Sequence, residues 1–126
     1  MTSLNHRRIQ TLTQGKGIEL SGNQVKTEKF FIQKTLRDGG RIRFKVRYSA
    51  ELKDFCLLEI LLMDAQTETQ VASMTIPNGG STVKVQEQEQ EFSIWESGDY
   101  YLSFKMSSKS GKLIIEEYEL YWLISS

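Results

Sequence analysis

Hydrophobic and polar residues alternate with a period of two along most of this chain. The clearest stretch is Arg41 to Tyr48, in which every odd position is a cation and every even position is apolar. Successive side chains of a strand point to opposite faces of a sheet, so this pattern predicts a half-buried strand. Elsewhere the alternation recurs between glycine-rich turns, and no helical stripe of apolar residues is found. The chain is therefore predicted to be all-β.

The alternation predicts eight strands, separated by turns. They cover residues 17–21, 28–36, 41–49, 55–64, 67–76, 82–92, 99–107 and 112–124. This number of short strands with glycine-rich turns favours an antiparallel β-sandwich of two sheets. We expect one sandwich domain over residues 17–126, preceded by a flexible segment, residues 1–16.

The same parity predicts which side chains form the core. Those expected to point inward are Ile42, Phe44, Val46, Tyr48, Cys56, Leu58, Ile60, Leu62, Ala72, Met74, Ile76, Tyr100, Leu102, Phe104, Met106, Tyr118, Leu120, Trp122 and Ile124. In the sixth predicted strand, Val83 and Val85 share one parity while Phe92 and Ile94 share the other. A bulge is therefore expected within residues 86–91.

Composition narrows the classes of function. Lys and Arg together number 16, as do Asp and Glu, so the formal net charge is zero and disfavours nucleic acid or an anionic membrane as a partner. No run of ~18 apolar residues that could span a membrane is present. No signal-peptide pattern is seen either, so we expect a cytoplasmic protein if the chain is full length and an extracellular one if it is a module of a secreted protein.

The chain offers few groups for catalysis. Its single histidine, His6, lies in the segment expected to be flexible, and its single cysteine, Cys56, has inward parity. Glu116 and Glu117 are adjacent and are expected to point to opposite faces, which does not suit the paired carboxylates of a glycosidase. We therefore expect no enzyme activity.

Two C-terminal stretches carry a resemblance to a known group of domains. FSIWESGDYYLSFKM (92–106) and SGKLIIEEYEL (110–120), together with GGRIRFKVRYS (39–49), resemble the galactose-binding-like domains and carbohydrate-binding modules. The resemblance implies a jelly-roll sandwich of two four-stranded sheets. Numbering the predicted strands in chain order, one sheet would run 1-8-3-6 and the other 2-7-4-5.

This order implies a role for the basic row of the third strand, Arg41, Arg43, Lys45 and Arg47. The row would lie between acidic residues of the eighth strand and of the sixth strand, and would form a lattice of cross-strand ion pairs. The alternative is an anion-binding site, because cations on one face of a strand recur every ~6.6 Å. The sequence leaves both interpretations open.

In the carbohydrate-binding relatives, the other sheet often receives a glycan on its outer face. By position, Phe31 and Tyr101 would then be stacking platforms, and the hydrogen-bonding residues would be Gln33, Glu59, Ser103 and Lys105. Trp95, in a predicted loop, either stacks on a ligand at the edge of the sandwich or closes the end of the core.

The same face also suits a protein partner. Leu57, Leu61, Met63 and Val71 are expected to point outward, and an aliphatic sheet face commonly forms an interface, with another protein or with a second copy of the chain. Cover by residues 1–16 is a further alternative. We therefore hypothesise a non-catalytic module that binds a glycan or, alternatively, a protein.

A structural calcium ion is common in the family that the sequence resembles. Glu19, Glu28 and Glu116 could donate carboxylate oxygens to it. The Asp-rich loops that such a site needs are missing from the sequence. We therefore predict no cofactor and no metal.

Overall fold

The computed structural model describes residues 6–33, 41–79, 82–94, 96–107 and 111–125, with side chains between residues 10 and 123 of these ranges. The described residues form nine strands and no helix, so no helix there could cross a membrane. The strands are β1 (His6–Leu20), β2 (Gln24–Lys26), β3 (Phe30–Ile32), β4 (Arg41–Leu52), β5 (Cys56–Asp64), β6 (Thr69–Asn78), β7 (Thr82–Phe92), β8 (Gly98–Met106) and β9 (Gly111–Ser125).

Two antiparallel sheets enclose the core. The first has the order β1-β9-β4-β7, and the second has the order β2-β8-β5-β6. β3 also pairs with β8, so β2 and β3 follow one another along the same edge of the second sheet. Together these two short strands take the place of the second predicted strand. The predicted all-β jelly-roll sandwich and both predicted strand orders are confirmed.

Aromatic rings form the centre of the core. Phe44 stacks on Phe92 at a centroid distance of 5.3 Å, and Phe104 meets Tyr118 at 5.0 Å. Phe104 belongs to the second sheet and the other three rings belong to the first, so the cluster joins the two sheets. Aromatic pairs of this kind contribute about 0.5–1.5 kcal/mol each beyond the area that they bury.

The predicted inward parity is confirmed for the described side chains. Ala72 and Trp122 are partly buried and pack against the core, and Ile124 lies outside the described side chains. All others of the predicted set are at most 7% exposed. The alternation is most complete in β4, where all six even positions, 42 to 52, are buried.

The basic row of β4 is paired with acidic residues of β7. Arg41, Arg43 and Lys45 approach Glu91, Glu89 and Glu87 at 3.6, 3.5 and 3.7 Å. Arg47 lies opposite Glu117 of β9 in the register. The geometry is that of the predicted ion-pair lattice.

The flexible segment predicted over residues 1–16 is replaced by a strand from His6 onward, because β1 begins there and pairs with β9 along its length. Residues 1–5 of that prediction lie outside the described residues. Its sequence gives a weak signal, because an edge strand is held mainly by backbone hydrogen bonds. Among the described side chains of residues 10–16, Leu12 is the one that packs against the core. Since β1 belongs to the first sheet, residues 10–16 are not a cover for the outer face of the second.

The second predicted strand, residues 28–36, is also corrected. Residues 24–26 and 30–32 are the paired segments, and residues 27–29 lie in no strand. The remainder of that prediction, residues 34–36, falls outside the described residues.

Bulges account for two further corrections. In β7 the register with β4 shifts at Lys84 and Val85, just before the predicted interval of residues 86–91. In β9 the register shifts at Glu116, whose carboxylate accepts a hydrogen bond from the Ser49 hydroxyl at 2.7 Å. Glu116 and Glu117 therefore lie on the same outer face, and the prediction that they point oppositely is wrong.

Candidate functional site

The outer face of the second sheet brings four polar side chains into line. The register places Gln24 opposite Lys105, Lys105 opposite Glu59, and Glu59 opposite Thr75. We call these four residues the polar row. Neighbouring strands lie ~4.8 Å apart, so the row extends over roughly 14 Å across β2, β8, β5 and β6. Gln24 and Thr75 are exposed, and Lys105 and Glu59 are half-buried.

Ser103 lies in the next row along β8 and is covered by its neighbours. It is 1% exposed, and its hydroxyl accepts a hydrogen bond of 2.6 Å from the side-chain amide of Gln24. Ser103 is therefore not open to solvent, whereas the side chain of Gln24 is exposed. Leu61 and Ser73 continue this second row across β5 and β6.

Tyr101 does not form the predicted open platform. It is 6% exposed, the Lys26 ammonium lies 5.6 Å from its ring centroid, and its hydroxyl donates to Glu68 at 3.0 Å. Burial, followed by the hydrogen bond and the charge of Glu68, raises the pKa of Tyr101. The ring is held in place by Lys26 and Glu68.

Phe31 is the exposed aromatic residue of the predicted site, at 59% exposure. It lies on β3 opposite Asp99, and Asp99 and Lys105 are six positions apart along β8. At ~3.3 Å per residue, Phe31 is roughly 20 Å from the polar row. Gln33 is exposed just after the end of β3, and Trp95 lies outside the described residues. The predicted ligand residues thus fall into two groups, at two ends of the face.

The predicted interface residues are less exposed than the sequence suggested. Leu57, Leu61 and Met63 are half-buried along β5, alternating with buried inward side chains. Val71 packs against the core, because a register shift of β6 against β5 lies beside it. Its assignment to the outer face is therefore corrected.

Gln24, Lys26 and Thr75 were not predicted as site residues. The strand β2 is only three residues long, and alternation over Gln24, Val25 and Lys26 is too short to be recognised as a strand. Thr75 has outward parity in β6, but only the register with Glu59 shows that it completes the row.

The described residues show no cluster suited to a metal ion, and two of the candidate calcium donors have other partners. No group of three or more His, Cys, Asp or Glu side chains suited to a metal is found among them. Of the candidate calcium donors, Glu19 pairs with Lys112 at 3.2 Å and Glu116 is bonded to Ser49. Cys56 is completely buried.

The same architecture is found in solved structures of carbohydrate-binding modules. The module CBM6cm-2 of lichenase 5A from Cellvibrio mixtus, in complex with cellotriose, has a TM-score of 0.54 and 10% identity, over 91% of this chain and 98% of that one. The C-terminal CBM6 of the laminarinase LamC from Zobellia galactanivorans has a TM-score of 0.54 and 14% identity, over 93% and 99%. This chain has the fold of a carbohydrate-binding module.

A larger protein contains the same fold. Dimeric latent PorU from Porphyromonas gingivalis has a TM-score of 0.58 and 11% identity, over 97% of this chain but only 12% of that one. Neither a protein-family model nor a curated protein sequence matches this chain. At such low identities the similarity establishes the carbohydrate-binding-module fold alone.

Proposed function

We propose that this protein is a non-catalytic carbohydrate-binding module that holds a glycan across the outer face of its second sheet. The observation that carries the proposal is the polar row, in which Gln24, Lys105, Glu59 and Thr75 line up across four strands. The fold shared with solved carbohydrate-binding modules, over nearly the whole of both chains, supports it.

The polar row has the chemistry that sugar hydroxyl groups need. A sugar hydroxyl both donates and accepts hydrogen bonds. The row offers donors from the Lys105 ammonium, acceptors from the Glu59 carboxylate, and both from Gln24 and Thr75. Half-buried Leu57 and Leu61 lie on either side of Glu59 along β5 and give apolar contact for the C–H groups of the sugar rings. An extended glycan would therefore run perpendicular to the strands.

The same face supports binding without hydrolysis. A glycosidase needs two carboxyl groups on either side of the scissile bond. Glu59 is the one carboxylate of the polar row and lies directly opposite Lys105. Glu68, another carboxylate on this side, accepts the hydrogen bond of Tyr101.

The proposal is tested by screening a glycan array and measuring affinity for the best ligand by calorimetry. The Lys105→Ala substitution removes a charged hydrogen-bond donor, so we expect the affinity to fall about ten- to a hundredfold. The matched control is Lys84→Ala, which removes an exposed lysine from β7 of the other sheet. Absence of binding across the array, or equal losses in both variants, would contradict the proposal.

The alternative is an assembly subunit that uses the apolar positions of β5. Leu61 lies at the centre of the face, between Ser103 and Ser73, and is half-buried. In this case wild-type protein would be a dimer by light scattering, and Leu61→Glu would make it a monomer. The large hydrophobic side chains that are exposed among the described residues are Phe31, Phe55 and Val85, whereas the aliphatic side chains at the centre of the face are half-buried, which favours the glycan.

A further inference from the structure

Of the four sheet edges in the described part of the chain, three are interrupted. In the first sheet, β1 has two register shifts against β9 and a left-handed residue, Gly17, with a φ angle of +75°. In the second sheet one edge is split into β2 and β3, and β6 has a register shift beside Val71 and a residue without an N–H, Pro77. Bulges, prolines and short strands are the usual protection of an edge. Residues 86–92 of β7, at the fourth edge, pair with β4 without a shift and include neither proline nor glycine.

This segment of β7 is open to solvent on both faces. All residues from Lys84 to Glu91 are exposed, whereas a strand of a sandwich normally buries every second side chain. The positions with inward parity are glutamines, and the Gln90 amide reaches the second sheet, where it donates to the Ser73 carbonyl at 2.6 Å. β7 therefore extends beyond the apolar core and covers part of the edge of β6. On the side away from β4 it has no strand neighbour among the described residues.

The outer face of the first sheet carries charges in stripes of alternating sign. β9 contributes two acids, Glu117 and Glu119, which lie opposite cations of the basic row of β4. The next stripe, which we call the acidic row, is formed by Glu87, Glu89 and Glu91 of β7. Opposite charges on directly opposed positions stabilise a pair of strands. The stripe that would continue this order beside β7 is basic.

The acidic row can accept a second set of cations. Its ion pairs with β4 are 3.5 to 3.7 Å long, and its side chains are 39–46% exposed. A carboxylate has two oxygens with about four lone-pair sites, so it can accept from a donor on each side. Each glutamate of the row can therefore lie between a cation of β4 and a cation of an added strand.

A second copy of this chain is a poor occupant of the same edge. Residues on one face of a strand lie opposite residues on the same face of its neighbour. Pairing of β7 with another β7 would therefore set the two acidic rows against each other, and like charges opposed across strands are destabilising. The acidic row disfavours a second copy and favours a basic strand.

We propose that the free edge of β7 binds an extended basic segment of a partner protein, with Lys or Arg at every second residue and small polar residues between them. The backbone of the segment hydrogen-bonds to residues 86–92, as in strand addition to a sheet edge. Its cations recur every ~6.6 Å on one face and meet the acidic row, while the residues between them lie beside the uncharged amides of Gln86 and Gln88. This edge belongs to the first sheet and the polar row to the second, so the site is independent of the proposed glycan binding.

The test is a titration of the whole protein followed by its amide NMR signals. The probe is an acetylated and amidated peptide of four Arg-Thr repeats. We expect it to shift the signals of residues 83–91 until they saturate, and to leave those of Glu59 and Lys105 in place. Unchanged β7 signals would overturn the inference. If these signals instead change with protein concentration before any peptide is added, a second copy occupies the edge and the inference is also wrong.

Two control peptides separate strand addition from simple attraction between charges. A peptide of four Glu-Thr repeats should not bind. The Arg-Thr peptide with every backbone nitrogen methylated keeps its charges but loses its N–H donors, and we expect it to bind about tenfold more weakly. Equal binding of the methylated peptide, or binding of the acidic one, would contradict the proposal.

Variants of the protein locate the contact. Glu87→Gln combined with Glu89→Gln removes two acids from the edge and should weaken binding of the Arg-Thr peptide about three- to tenfold. The matched control, Glu117→Gln combined with Glu119→Gln, removes the same charge from β9. Since β9 lies three strand spacings, ~14 Å, from an added strand, beyond the Debye length of about 8 Å, the control should change binding less than about twofold. Equal losses in the two double variants would show that the peptide is not held at β7.

Discussion

Gly111, the first residue of β9, lies directly against the end of β4. Its φ angle is +137°, a value that side chains rarely adopt. A Cβ there would overlap the Glu51 carbonyl oxygen and lie 2.8 Å from the Leu52 Cα. Backbone atoms cannot move aside as a flexible side chain can, so both conformation and space require glycine.

Gly111→Ala should therefore lower the free energy of unfolding by about 3 kcal/mol, from backbone strain and overlap together. Urea denaturation followed by tryptophan fluorescence measures the change. Gly98→Ala is the matched control, because nothing lies within 4 Å of a Cβ at that position, and we expect it to be nearly neutral. A similar loss of unfolding free energy in the two variants would contradict the close contact between β4 and Gly111.

For single residues, burial was predicted correctly where the alternation within one strand determines which face a side chain is on. Phe44 and Leu58 are buried because alternation places them inward, and both were predicted. Tyr101 and Ser103 have outward parity and are nevertheless buried, because Lys26 and Gln24 lie over them. Those contacts join residues more than 70 positions apart, which local alternation does not reveal.

Between elements, the ion pairs of β4 and β7 follow a regular offset. Arg43 lies opposite Glu91 in the register but pairs with Glu89, and Lys45 lies opposite Glu89 but pairs with Glu87. Each cation thus reaches the acid two positions beyond its direct neighbour. The alternation of Glu and Gln disfavours a slip of one residue, which would place glutamines opposite the cations.

A double-mutant cycle with Arg43→Ala and Glu89→Ala should give a coupling energy of about 0.2–1 kcal/mol, because both side chains are partly exposed. Raising the salt concentration to about 1 M should reduce it by screening. The control cycle uses Arg47 and Glu91, which lie four positions apart in the register and should not couple. A coupling insensitive to salt would contradict an electrostatic origin.

Bulges limited what could be predicted at the scale of elements. The parity change in β7 indicated a bulge but placed it slightly too far along the chain. The bulge at Glu116 was not predicted, because Glu116 and Glu117 are both polar and alternation gives no signal between them. The position of this bulge is set by pairing with β4, where Ser49 bonds Glu116 and Arg47 lies opposite Glu117.

For the whole molecule, buried tyrosines should lower the free energy of unfolding at alkaline pH. Burial raises the pKa of Tyr48, Tyr100, Tyr101 and Tyr118 above the ordinary value of 10.0. Above pH 10 the unfolded chain therefore loses phenolic protons that the folded protein keeps. Since the unfolded state then binds fewer protons, stability is fully present below this pH and falls as the pH rises through the folded pKa values.

Urea denaturation at about pH 8 and about pH 11 should show this fall in the free energy of unfolding. Tyr48→Phe should make the fall shallower, because burial alone raises the pKa of Tyr48 and phenylalanine fills nearly the same space. Tyrosinate absorbance measured in parallel should rise at a lower pH in urea than in the folded protein. A free energy that is the same at both pH values would contradict the prediction.

The sequence by itself determined the fold class, the strand order implied by its resemblance, and most of the core. These follow from alternation within single strands, which a buried face imposes on each strand separately. The tertiary structure decided that β1 continues the first sheet, that Gln24 and Thr75 complete the polar row, and that residues 27–29 interrupt the edge of the second sheet. Each depends on backbone pairing or register between distant strands. Backbone hydrogen bonds form whatever the side chains are, so this pairing leaves little trace in the sequence.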